Sequence, residues 1–205
     1  MFAYARRTAL ACGLSVLALA SVVAGAASAG NQDMRLNGYA NPPIGYLEFC
    51  RRAPDECTIH GRDRAEPLTE GRWRELREIN SFVNRMVTPA TDLDYYHREE
   101  VWALPEGFGD CEDYVLLKRK WLIQRGWPSG ALLVTVVFDE AGDGHAVLLV
   151  RTDRGELVLD NKTEEIRAWF ETAYRFVKRQ SGANPNRWVS VGDPRWTASS
   201  TAAPR

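Results

Sequence analysis

Apolar positions recur at helical spacing from Glu70 to Val87, where Trp73, Leu76, Ile79, Phe82, Val83 and Met86 fall on one stripe between charged residues. Pro89 follows and ends that helix. A second helical pattern runs from Cys111 to Gln124, with Tyr114, Val115, Leu117, Lys118, Trp121 and Leu122 on a wide apolar face, and Gly126 and Pro128 as its stop. The period then changes. Three runs rich in Val and Leu, Ala131 to Phe138, His145 to Arg151 and Glu156 to Leu159, are divided by Asp139–Gly144 and by Thr152–Gly155, both rich in turn residues. An amphipathic segment from Glu165 to Arg179 closes the pattern. Helices followed by an antiparallel meander predict an α+β fold. Gly30 to Pro43, poor in apolar residues, is expected to wrap the surface, and the small polar tail Thr197–Arg205 to fray.

The first 29 residues change the picture. Arg6 and Arg7 precede an uncharged apolar run, Thr8 to Val23, and Ala27-Ser28-Ala29 supplies small residues before Gly30. This is the pattern of a cleaved export signal, and the run is too short to read as a membrane anchor. Residues 30–205 then form one domain, with no membrane span after cleavage. The formal charge of −1 becomes more negative once Arg6 and Arg7 leave, which gives no footprint for nucleic acid or an anionic membrane.

Export also gives the cysteines a meaning. Cys12 departs with the leader, leaving Cys50, Cys57 and Cys111. Cys50 and Cys57 flank a short polar loop, and in an oxidising compartment a disulfide is the natural pairing. A metal pair would need two further ligands, for which His60 alone is a weak candidate. Cys111 is the odd thiol, and an unpaired cysteine in an exported chain is a candidate reactive group. It lies in Gly109-Asp110-Cys111-Glu112-Asp113-Tyr114 at the start of a predicted helix, where unpaired N–H groups favour a thiolate and Asp110 can cap. His145 opens one strand and Asp160 ends the next. A four-residue turn sets Arg151 opposite Glu156 and Val147 opposite Asp160, so His145 and Asp160 are diagonal neighbours. Thiol, imidazole and carboxylate are the groups of a cysteine hydrolase. Taken singly, each has a plainer reading: a small buried cysteine, a core histidine, a turn-initiating aspartate. The acids Asp110, Glu112 and Asp113 crowd negative charge beside the thiol, and a hard, oxygen-seeking cation such as Ca²⁺ would offset it. Capping, solvation and local hydrogen bonding are the alternative roles for the three.

The Gly-Asp-Cys-Glu-Asp-Tyr run, Lys118, Gly126, Gly144-His145-Ala146-Val147-Leu148 and Leu159-Asp160-Asn161 together resemble the bacterial transglutaminase-like cysteine proteinases, which include the LapG-type adhesin proteases. Ile79-Asn80, Val83-Asn84, Trp102, Pro105, the Phe49–Cys57 loop and Trp188 fit the same pattern, so the resemblance spans nearly all of residues 30–205. It implies a papain/transglutaminase-like fold and a periplasmic location, with Cys111 as nucleophile, His145 as base and Asp160 as its orienter. It also implies calcium dependence through Asp110, Glu112 and Asp113, and a protein substrate such as a surface adhesin, cut at small residues such as paired alanines. Acyl transfer to an amine through the same thioester, and a fold that now only binds a partner, are the other two function classes.

Overall fold

Seven antiparallel strands form a sheet in the order β1 (Arg35–Ala40), β9 (Asn184–Gly192), β8 (Arg175–Ser181), β4 (Leu132–Phe138), β5 (Gly144–Thr152), β6 (Gly155–Leu159) and β7 (Arg167–Ala168), in a computed structural model that describes Met1 and residues 34–195. The leader beyond Met1 and the tail Thr197–Arg205 lie outside the described residues, and residues 34–195 fall within one compact unit, Asn31–Arg205. The middle of the sheet is β4 (Leu132–Phe138), β5 (Gly144–Thr152) and β6 (Gly155–Leu159), close to the three predicted strands. β4 and β5 are continuous apolar runs because both faces of the sheet are covered. Leu132, Val134, Ala146, Leu148 and Val150 pack with the helices, while Leu133, Val137, Val147 and Leu149 join Trp169 and Phe176 in a second cluster.

The helix side holds α1 (Ile44–Arg52), α2 (Glu70–Met86) and α4 (Cys111–Gln124). Thr69 caps α2, its side chain accepting from the Arg72 N–H at 3.2 Å. Leu76, Ile79, Asn80 and Val83 are the buried face of α2; Phe82 and Met86, expected on the same stripe, are 49% and 40% exposed. The Cys50–Cys57 disulfide closes the loop after α1, with Cα atoms 5.7 Å apart. A short parallel ladder joins β2 (Thr88–Pro89) to β3 (Phe108–Gly109), and α3 (Asp92–Tyr96) lies between them in the chain.

Two expectations are corrected. Glu165–Arg179 is not one amphipathic element: it contains the two-residue β7 (Arg167–Ala168), a 3₁₀ turn at Trp169–Glu171 and the first part of β8 (Arg175–Ser181). β9 (Asn184–Gly192) then closes the sheet as a hairpin partner of β8. Residues Arg35–Ala40 do not simply wrap the surface but form edge strand β1, paired with β9. β1 is almost wholly exposed, so its backbone pairing and not an apolar pattern makes it a strand.

Candidate functional site

Cys111 is the first residue of α4, and among the described residues it is the free cysteine. Asp110 occupies the N-cap position without a side-chain capping bond. The thiol instead donates to Glu112 Oε2 at 3.1 Å. Burial, then the neighbouring Glu112, push this thiol up, opposed by the backbone N–H of Ala146. Burial and two adjoining acids, Glu112 and Asp110, thus oppose the thiolate that a helix start favours.

His145 is the second residue of β5 and lies beside the start of α4. The observed register sets Arg151 opposite Glu156 and Leu148 opposite Leu159, which continues to Val147 opposite Asp160. The diagonal relation holds, and His145 Nε2 lies 2.9 Å from Asp160 Oδ1 with both residues at most 5% exposed. Asp160 Oδ1 also accepts from the Lys162 N–H at 3.1 Å, and Oδ2 accepts from the Tyr174 hydroxyl. Burial acts to raise the Asp160 carboxyl, but the His145 bond and charge, with the Tyr174 and Lys162 donors, hold it below its ordinary value. An ionised Asp160 accepts, so His145 donates to it through Nε2–H. The Asn84 amide fixes the Asp160 carbonyl at 2.8 Å.

Two depressions meet at the thiol. One, of about 290 Å³, is lined by Cys111 and His145 with Trp102, Glu112, Val136 and Lys178. The other, of about 300 Å³, has Cys111 on a wall shared with Pro89, Thr91, Asp110 and Asn161. A larger hollow of about 870 Å³ lies between α2 and α4 and contains none of Cys111, His145 and Asp160; the converging chemical groups, not volume, mark the site.

The acids divide. Glu112 turns to the thiol, and burial with the charge of Asp110 pushes it up to about 9. Asp110, which also bonds Glu112, and Asp113 meet Asp92 from the first turn of α3, and Asp92, Asp110 and Asp113 offer ligand oxygens within 4.8 Å of one another. Asp92 Oδ1, Asp110 Oδ1 and Asp113 Oδ2 are buried with no hydrogen-bond partner among the described residues. The other oxygens of Asp92 and Asp113 accept from the Val101 and Ala103 N–H groups at 2.5 and 2.7 Å, which anchors them. Burial raises all three carboxyls, Asp113 to about 8. Ca²⁺ binds oxygens at about 2.3–2.6 Å, so its ligands stand up to roughly 5 Å apart, and this orphaned set fits such an ion.

The family model described as bacterial transglutaminase-like cysteine proteinase (BTLCP) matches residues 36–196. The chain belongs to that family. It is a cysteine peptidase with the α+β papain/transglutaminase-like fold. A solved structure of Legionella pneumophila LapG is similar at 25% identity and a TM-score of 0.50, over 60% of this chain and 70% of that one. Calcium-bound Legionella pneumophila LapG is similar in fold, with 24% identity and a TM-score of 0.50 over 64% and 74%. No curated protein matches the sequence.

Of the residues predicted for the site of this proteinase, Cys111 and His145 line one cleft, Asp160 contacts His145, and Asp110 and Asp113 share the acid cluster. Glu112 lies within the group formed with Asp110 and Cys111 and outside that of Asp92. Asp92 and Tyr174 were missed. Both are far from the motifs in sequence, and neither Thr91-Asp92 nor Ala173-Tyr174 has a spacing that signals a ligand or a hydrogen-bond partner.

Proposed function

We propose that the chain is an exported, periplasmic cysteine endopeptidase in which Cys111 is the nucleophile, His145 the base and Asp160 its orienter. One observation carries this reading: a free thiol at a helix start shares a cleft with an imidazole whose Nε2 is bonded to a buried carboxylate. His145 Nδ1 takes the thiol proton, and the sulfur attacks a peptide carbonyl. The Cys111 backbone N–H, which has no intrahelical partner at the start of α4, serves the developing oxyanion. The imidazolium then protonates the leaving amine, and a thioester remains until water, deprotonated by His145, releases the acid. Depressions on both sides of the thiol suit a chain that continues past the cut in both directions, which favours an endopeptidase over an exopeptidase. The substrate is an envelope protein such as a surface adhesin.

Asp92, Asp110 and Asp113 would hold Ca²⁺, which supplies positive charge beside the start of α4. Glu112, bonded to the thiol, is the remaining acid of the originally expected trio. The test is a thiol-alkylation and cleavage assay. Iodoacetamide should label Cys111 rapidly in the native protein and more slowly in His145→Ala, and Cys111→Ala should abolish cleavage of a candidate envelope protein while keeping its melting temperature. Equal labelling with and without His145 removes it from the base role.

A further inference from the structure

Asp160 has two oxygens, and the proposed reaction uses one of them. Oδ1 faces His145; Oδ2 is taken by the hydroxyl of Tyr174, itself 7% exposed. The same tyrosine presents its ring edge-on to the imidazole, with centroids 5.5 Å apart and planes at 72°. One side chain thus touches both members of the pair. Its own backbone is pinned: Arg195 donates to the carbonyls of Phe170 (3.1 Å), Thr172 (2.9 Å) and Tyr174 (2.7 Å), and Asp193 holds the Arg195 guanidinium through Nε at 2.9 Å.

A buried carboxylate anchored through one oxygen can pivot about its terminal torsion, which is broad and two-fold. A second donor on the far oxygen stops that pivot and satisfies a charged acceptor that would otherwise be buried and open. An aromatic edge against the imidazole likewise limits ring rotation away from the thiol.

We propose that Tyr174, clamped by Arg195, is a positioning residue that fixes the Asp160 carboxylate and the His145 ring in the orientation that activates Cys111. This rests on the reading of Cys111, His145 and Asp160 given above. The test compares wild type, Tyr174→Phe and His145→Ala in calcium-containing buffer. Iodoacetamide is the probe for Cys111 reactivity, and proton NMR of the His145 Nε2–H reports its bond to Asp160. Tyr174→Phe keeps the ring and removes the hydroxyl. It is expected to slow alkylation roughly tenfold and to shift or broaden the His145 resonance, as loss of one hydrogen bond to a charged group should. A Phe variant that lowers only the melting temperature, with wild-type alkylation and resonance, overturns the proposal and leaves Tyr174 a packing residue. Should the Phe variant not fold, Arg195→Lys keeps the hydroxyl and loosens the clamp. It is expected to change rate and resonance in the same direction, and wild-type behaviour again overturns the proposal. Unchanged alkylation in His145→Ala refutes the underlying site reading instead, so the two failures are distinct.

Discussion

Lys118 sits two turns beyond Cys111 on α4, fully buried, and among the described residues its Nζ has no hydrogen-bond partner. The Tyr114 ring centre is 5.9 Å from Nζ. Burial pulls the amine down from 10.5 to about 7, opposed by the charge of Asp160. The folded value is the lower one, so between about pH 7 and 10.5 the unfolded chain binds the extra proton. Stability from this group therefore rises with pH, by about 1.4 kcal/mol per pH unit across that window. Below about pH 7 the penalty is constant, on the order of 5 kcal/mol. Lys118→Met keeps an unbranched apolar stem and removes the amine. Allowing about 1.5 kcal/mol for imperfect packing, the variant should be roughly 2–4 kcal/mol more stable at pH 7, and the gain should vanish as pH nears 10.5. Urea unfolding of both proteins at pH 6.5, 8, 9 and 10, disulfide intact, measures it; other titrating groups cancel in the difference. A less stable Met variant at pH 7, or a difference that does not narrow as pH rises, refutes the reasoning.

Replacing Cys50 and Cys57 by Ser should cost about 2.5 kcal/mol, the loop-closure value for a short ring, read as a lower urea midpoint at unchanged slope. Asp92→Asn should weaken Ca²⁺ binding in calorimetry by at least about tenfold without altering the fold; wild-type affinity would remove Asp92 from the site. At Gly45 an added Cβ would stand 2.3 Å from Trp102 Cδ1 and 2.8 Å from the Glu100 carbonyl. Gly45→Ala should therefore displace a cleft-lining indole, lowering stability by about 1–3 kcal/mol and cleavage with it, with tryptophan fluorescence reporting the movement.

Where one physical signal dominated, the chain was legible. α2 carries strong helical periodicity, α4 is buried on nearly every side from Glu112 to Arg119 and is bounded by Asp110 and by Gly126 and Pro128, and β4 to β6 are apolar runs between turn clusters, so their ends were placed within a residue or two. β8 and β9 failed that test. Arg175–Ser181 contains Arg175, Lys178 and Arg179 in seven residues: exposed Arg175 lies over Phe138, and Arg179, though buried, is paired with Glu156. β9 carries Pro185, which demotes a strand in sequence and is tolerated here near the strand start. The stripe on α2 was read too wide: Phe82 leans on Trp121 at 5.4 Å at the edge of the core and not within it.

The site divides along the same line. His145 and Asp160 were placed together because hairpin register is arithmetic: a four-residue turn and a period of two leave no freedom unless a bulge intervenes, and none does between β5 and β6. The acid cluster has no such arithmetic. Asp92 reaches Asp110 because the β2–β3 ladder pairs Thr88 with Phe108 and Pro89 with Gly109, and each of those strands is two residues long. The contact also needs Gly109 bare, since a Cβ there would come within 2.6 Å of Asp113 Oδ2. The helix geometry of α4 did contain half the answer. Residues at positions 110, 112 and 113 cannot share one face, so a cation held there needs groups from another part of the chain. Only the tertiary fold turns Glu112 to the thiol and brings Asp92 to Asp110 and Asp113.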